Sequence, residues 1–249
     1  MTRVYVPDVQ VETLVVEVVG DEAHHLTRVL RVRAGDSVGV FDGRGREWRT
    51  QVGAITKSSV SLIVEREVSP VPEPAVRVTL AVGLLKGDQM DAVVRDATVM
   101  GVTAIRPVVT DHVAVPSKTW RDNRGQARWH RVAVAAAKQC GRAVVPTIAP
   151  VTPLVGLWPT ADAPDAANLT LACVEPAAMQ GGTARDWRTA ARPSAALLLI
   201  GPEGGWSGEE LAMFTERGAH TVSLGPRTLR AESAPAVALT LLWAAWGWT

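Results

Sequence analysis

Two short stretches near the end of this chain combine glycines with charged side chains in a way that could do chemistry. The first is Gly201-Pro202-Glu203-Gly204-Gly205-Trp206-Ser207, and the second is Leu224-Gly225-Pro226-Arg227-Thr228-Leu229-Arg230-Ala231-Glu232-Ser233-Ala234. Glycines let backbone approach a ligand closely, and Ser207 with Glu210 three residues on has the pattern of a helix-starting capping box. A helix start of that kind can hold phosphate, but Glu203 inside the loop would repel an anion, and neither GxxxxGK[ST] nor GxGxxG occurs. A neutral or cationic ligand fits better. In the second stretch Arg230 and Glu232 offer a planar cationic fork beside a carboxylate, suited either to a polar reaction centre or to an ordinary surface pair. No His/Cys/Asp cluster has ligand spacing, so no metal is expected.

The elements that must position these loops are legible. The apolar run Ala195 to Ile200 leads into the first loop, Thr221 to Leu224 leads into the second, and helices are expected over Ser207 to Arg217 and Ala234 to Trp246. Upstream, strand Val76 to Val82, helix Asp88 to Met100, strand Ala104 to Val109, helix Arg121 to Cys140 and strand Leu169 to Val174 alternate. Such alternation predicts an α/β domain with a mainly parallel sheet, whose ligands gather at the carboxyl ends of the strands. Stretches Pro159 to Ala167 and Gly181-Gly182 read as surface loops. Prolines 70, 72 and 74 mark a linker. Before it, short β-branched runs at Val4 to Val6, Thr13 to Val19, Ser37 to Phe41, Glu47 to Ile55 and Val60 to Val64 predict a small β-barrel, interrupted by a helix over Asp21 to Arg31 with Asp21 as its cap. The expected domains are 1–70 and 74–249.

Composition narrows the function classes. With 26 Lys and Arg against 25 Asp and Glu, any nucleic-acid binding must come from a local patch. Only Lys57, Lys86, Lys118 and Lys138 are lysines; the remaining basic residues are arginines, the better fork for phosphates and base edges. Cys140 and Cys173 form no disulfide or metal pattern, the first residues have no apolar signal core, and Ala236 to Trp248 is too short to span a bilayer. The expectation is a soluble, cytoplasmic protein that meets no membrane.

The two loops, read as IGPEGGWSGEE and LGPRTLRAESA, resemble the signature loops of the 16S ribosomal RNA uracil-N3-methyltransferases, of the SPOUT class. The resemblance extends over essentially the whole chain. It includes Arg3, the HHLTRVLR segment from His24 to Arg31, Leu85-Lys86-Gly87-Asp88-Gln89-Met90-Asp91, and Arg128-Trp129 with Gln139 and Arg142. The chain departs from the family where Asp96 and Val99 replace a lysine and a glutamate, where His112-Val113 replaces an arginine-serine pair, and where Ala231 lacks a threonine hydroxyl that Ser233 retains at its own position.

The resemblance implies a C-terminal trefoil-knotted methyltransferase domain, an N-terminal PUA-like barrel, S-adenosylmethionine as cofactor, a homodimer, and 16S rRNA as substrate, within the 30S subunit. Another RNA target, a tRNA base or a ribose 2′-OH, and a non-catalytic RNA-binding protein are the alternatives. The catalytic residues so implied are Arg230, Arg3 and Glu232. Cofactor contacts are implied at Leu199, Gly201, Pro202, Glu203, Gly204, Gly205, Leu224, Gly225, Leu229, Ser233 and Ala234. For RNA contact the best patch is His24, His25, Arg28, Arg31 and Arg33, continuing to Arg44, Arg46 and Arg49, where six arginines face only Asp36, Asp42 and Glu47. Tryptophans 120 and 129 could stack bases or pack in the core, and the Trp243, Trp246 and Trp248 cluster reads as a packing surface, including one between subunits.

Overall fold

The computed structural model describes residues 1–9, 14–115, 124–158, 168–179 and 192–248. Tryptophan 120 and the loops expected at 159–167 and around Gly181 lie outside the described residues. The chain forms two compact units: residues 1–73 with 134–145, and residues 74–133 with 146–249.

The first unit is a curled five-stranded sheet in the order β1-β3-β4-β5-β2, with β1 Thr2–Tyr5, β2 Val15–Val19, β3 Ser37–Phe41, β4 Glu47–Ile55 and β5 Ser59–Val68. Alternation decides which face is inside: β2 buries Val16 and Val18 and exposes its other three residues. Those valines pack with Val38, Val40, Trp48, Val60 and Leu62, and register shifts after Arg49 and Val52 bend β4 against β5. The β3–β4 turn is built by Asp42, whose Oδ1 accepts from the N–H groups of Arg44 at 2.7 Å and Arg46 at 3.0 Å.

The expected helix over Asp21 to Arg31 is shorter and wider. Helix α1, Gly20–His24, opens into a π turn at His25–Val29, and neither Asp21 nor any other side chain caps it. The Thr27 hydroxyl donates to Ala23 O at 2.8 Å, occupying the carbonyl that an α-helical N–H would use. Leu30 N then reaches back five residues to His25 O, and Arg31 ends the turn at φ 52°, the only non-glycine residue with positive φ among those described.

The second unit is a parallel seven-stranded sheet. Its strands are β6 Arg77–Gly83, β7 Ala104–Val109, β8 Thr147–Ile148, β9 Thr152–Pro153, β10 Leu169–Cys173, β11 Ala195–Ile200 and β12 His220–Val222. They run in the order β12-β10-β11-β6-β7-β8, with β9 also pairing β7. Central β11 is buried along its whole length, which is why its sequence is an unbroken apolar run. The helices are α2 Gln89–Val99, α3 Arg124–Cys140, α4 Gly208–Glu216 and α5 Ala234–Trp246. The last seven residues of α3 count with the first unit. Strands β8 and β9 escaped the pattern reading because two residues establish no alternation.

Helix α5 starts with Pro235 and ends at Gly247 in the left-handed conformation. Trp243 and Trp246 are buried within the chain, and Trp243 Nε1 donates to Met100 O at 2.8 Å. They are core residues, therefore, rather than an open surface, and only Trp248 of the cluster is substantially exposed. Trp129 is likewise buried. Among the described residues no helix is long and apolar enough to cross a membrane.

Candidate active site

Strands β12, β10, β11 and β6 are neighbours in the sheet, and the segments following their carboxyl ends enclose one cavity of about 330 Å³. The first glycine loop follows β11. Gly201 packs closely on the Trp206 indole: a Cβ there would lie 3.2 Å from it, so the indole would have to give by a few tenths of an ångström. That indole is fixed by its N–H to Cys173 O at 2.8 Å and by edge packing on Phe214. Gly205 has φ 69°, and a Cβ there would point towards Glu175 at 3.6 Å. From the adjacent strand, Gly83 supports Pro202 so closely that a Cβ would stand 2.6 Å from it.

The loop is tied down at its end by Glu210. This buried carboxylate accepts from Ser207 N at 2.8 Å and from Asp111 N at 3.0 Å, while the Ser207 hydroxyl accepts from Glu210 N. The capping box expected from sequence is thus present, and it extends to the segment after β7. There Ser207 Oγ meets Asp111 Oδ2 at 2.5 Å, and His112 Nδ1 meets Gly204 O at 2.9 Å.

Seven of the residues expected to hold a cofactor line the cavity: Gly201, Pro202, Glu203, Gly205, Leu224, Leu229 and Ala234. Leu199 is buried in β11, Gly204 faces His112, and Gly225 and Ser233 are exposed and do not line the cavity. Arg230 and Glu232 both line it. Arg230 is 84% exposed and only 3.9 Å from the Glu232 carboxylate, a loose contact that leaves its fork free to turn.

Three further residues line it that were not expected to hold the ligand: Glu175 after β10, Cys173 at its end, and Gln89 at the start of α2, from the Leu85 to Asp91 segment quoted for the family resemblance. Gln89 stands between Glu203 and Glu232. With its amide turned one way it donates to Glu232 Oε2 at 3.3 Å; turned the other way it donates to Glu203 Oε1 at 2.9 Å and Lys86 O at 3.1 Å. Burial pushes the Cys173 thiol up from 9.0 to about 12, so it is no nucleophile at neutral pH. Carboxylates Glu175, Glu203 and Glu232 share the wall with Arg227 and Arg230. Glycine-lined, mainly apolar and carboxylate-studded, the cavity suits an organic ligand carrying positive charge.

Arg3, expected among the catalytic residues, is held by several groups of the chain itself. Within the first unit its guanidinium forms a fork on Glu47 at 3.0 and 2.8 Å, donates to Ala137 O at 2.7 Å and Arg142 O at 3.2 Å, and lies over the Phe41 ring. With its fifth N–H directed at Lys138 O at 3.4 Å, this 9% exposed side chain braces the end of α3 with all its donors engaged.

The basic patch divides in two. Arg46 is forked on Glu67 at 2.8 Å and stacked on Trp48, Arg49 pairs with Glu65 and Arg44 with Asp8. Arg28, Arg31 and Arg33 are exposed and make no ion pair among the described residues, with His25 half-buried beside them. Among the described residues no group of three or more His, Cys, Asp or Glu could hold a metal ion.

Comparison with known proteins places this geometry. Residues 72–243 match the RNA methyltransferase domain family, and residues 20–65 match the RNA methyltransferase PUA domain. The chain is 32% identical over 240 residues to ribosomal RNA small subunit methyltransferase E of Synechocystis sp., covering 95% of this chain and 75% of that protein. The crystal structure of the Neisseria gonorrhoeae ribosomal RNA small subunit methyltransferase E bound to S-adenosyl methionine superposes with a TM-score of 0.85 at 28% identity, over 99% of this chain and 98% of that one. A Legionella pneumophila methyltransferase structure with the bound cofactor SAM gives 0.84 at 27%, over 98% and 97%. A glycine-walled cavity on a parallel sheet of the SPOUT class, joined in one chain to a PUA-like sheet, thus has its place: the chain belongs to the ribosomal RNA small subunit methyltransferase E family.

Proposed function

We infer that this protein methylates N3 of one uridine in 16S rRNA, using S-adenosylmethionine, and that it works in the cytoplasm as a homodimer on the 30S subunit. The family supplies the coarser statement, methylation of small-subunit ribosomal RNA with S-adenosylmethionine as cofactor. The single observation that carries the cofactor part of this reading is the cavity. Its glycines leave space that a Cβ would narrow, and its carboxylates suit a ligand with a cationic sulfur and a cationic amine.

When bound, the cofactor supplies an electrophilic methyl group on a sulfonium sulfur. The chain's own task is then mainly positioning, since an in-line displacement needs the acceptor nitrogen held at attack distance. Gly201 and Gly205 admit the cofactor, and Trp206 walls it. Arg230, exposed at the rim, turns its planar fork on to the uracil oxygens and stabilises the charge that spreads there as the N3 proton leaves. Glu232, less exposed than Arg230, takes that proton. Arg28, Arg31 and Arg33 grip phosphates away from the reaction. The dimer is supported by the exposure of Leu241 and Trp248 on the last helix and just beyond it, and light scattering checks it.

The decisive experiment is in vitro methylation of 30S subunits isolated from a deletion strain, followed by nucleoside mass spectrometry. The expected product is 3-methyluridine at one site in 16S rRNA. Methyl groups on ribose, on another base atom or on tRNA alone would overturn the assignment.

A further inference from the structure

We propose that Gln89 is a positioning residue for proton removal, holding an amide oxygen against Glu232 to receive a hydrogen bond once that carboxylate has taken the proton from the acceptor base. The inference rests on the function proposed above. It starts from an arrangement that the loops alone do not explain: a neutral amide, first residue of α2, set between two carboxylates in the cavity wall.

The two orientations of the amide are not equivalent. With its nitrogen on Glu232, the amide oxygen faces Glu203 Oε1 at 2.9 Å and Lys86 O at 3.1 Å, two acceptors against an acceptor. Turned over, the nitrogen donates to both of those groups, and the oxygen comes to lie where the nitrogen was, 3.3 Å from Glu232 Oε2. The second arrangement satisfies both donors and leaves one mismatch, amide oxygen against carboxylate oxygen. A proton on Glu232 converts that mismatch into a hydrogen bond.

The step balances simply. The uracil N3–H bond breaks and its proton goes to a Glu232 oxygen. The electron pair left on nitrogen forms the bond to the methyl carbon, while the C–S bond returns its pair to sulfur. Glu232 then donates to Gln89 Oε1, so the amide stabilises the protonated carboxyl that the reaction creates. Glu203 and Lys86 O hold the amide nitrogen and keep it from turning to the ionised carboxylate. The other charged groups around Glu232 are Arg230 at 3.9 Å, with Arg227 and Glu175 elsewhere in the same wall.

A double-mutant cycle tests this on the full-length protein. Single-turnover rates on 30S subunits and cofactor dissociation constants by calorimetry are measured for the wild type, Gln89→Met, Glu232→Gln and the double variant. Gln89→Met is expected to slow turnover about tenfold, a fraction of what a general base contributes. Its cofactor affinity should stay within about twofold, and in the Glu232→Gln background the same change should cost nothing further. Additive losses, or a loss confined to cofactor affinity, would show a merely structural residue. The second readout needs no turnover: with Glu203 replaced by Gln so that only Glu232 can titrate against the amide, the side-chain amide resonance of Gln89, assigned by its absence from Gln89→Met, should move with pH in Glu203→Gln and stand still when Glu232→Gln is added. Movement of equal size with and without Glu232→Gln in the Glu203→Gln background overturns the proposal. A wild type that makes no methylated uridine defeats the parent reading instead, so the two failures are distinguishable.

Discussion

Arg230 carries the sharpest expectation at the scale of single residues. If its fork stabilises charge on the uracil oxygens, Arg230→Ala should lose about a hundredfold or more in single-turnover rate, the scale of one preorganised donor, with cofactor affinity retained. Lysine there should recover little, because a point charge lacks the planar pair of donors. A plain surface pair, by contrast, would change stability by less than about 1 kcal/mol and leave turnover intact. Cys173 gives a pH expectation. Its folded-state value of about 12 lies above the ordinary 9.0, so between those values the unfolded chain sheds a proton that the folded protein keeps. Stability from this group is full below pH 9 and is lost as the pH rises towards 12, by at most about 1.4 kcal/mol per unit. Urea midpoints at pH 8 and pH 10.5 should separate more in wild type than in Cys173→Ala.

Among the elements, the link between α4 and the segment after β7 should be the most sensitive. Glu210→Gln keeps one amide oxygen where two carboxylate oxygens served two part-buried N–H groups, so about 1–3 kcal/mol of stability should go, with several-fold weaker cofactor binding in the same variant. Denaturant titration and calorimetry on one preparation check both. That link also shows how far sequence reaches. The run Ala195 to Ile200 and the loop after it were readable because a buried parallel strand is apolar throughout and glycines advertise close approach. The capping box was readable because it is local. Asp111 and Glu175 were not, and Gln89 was marked only through the family resemblance without a place in the site, since all three arrive through the strand order β10-β11-β6-β7, a matter of long-range pairing that leaves no local trace. The bonds that hold Arg3 were unreadable for the same reason: its partners Ala137 and Arg142 lie far away in the chain. The helix over Asp21 to Arg31 was right in type and wrong in pitch, because one hydroxyl, that of Thr27, displaced a backbone bond.

On the scale of the whole molecule, a net charge of +1 means that RNA affinity must be concentrated, and in one short stretch Arg28, Arg31 and Arg33 have no ion-pair partner among the described residues. Arg31 holds a left-handed backbone, φ 52°, at a position glycine would occupy more cheaply. Arg31→Gly should therefore raise stability by about 0.5–1 kcal/mol while weakening RNA binding and flattening its salt dependence. A urea melt and a filter-binding salt series decide it, and a variant that is less stable with unaltered RNA affinity would make Arg31 a brace of the sheet. The contact between Gly83 and Pro202 has a further meaning for how this enzyme can vary. A methyl group at residue 83 would touch no ligand, yet its only way out is to push the cofactor loop from behind. A survey of substitutions scored by activity alone would count Gly83 among the reactive groups, although what it contributes is vacancy.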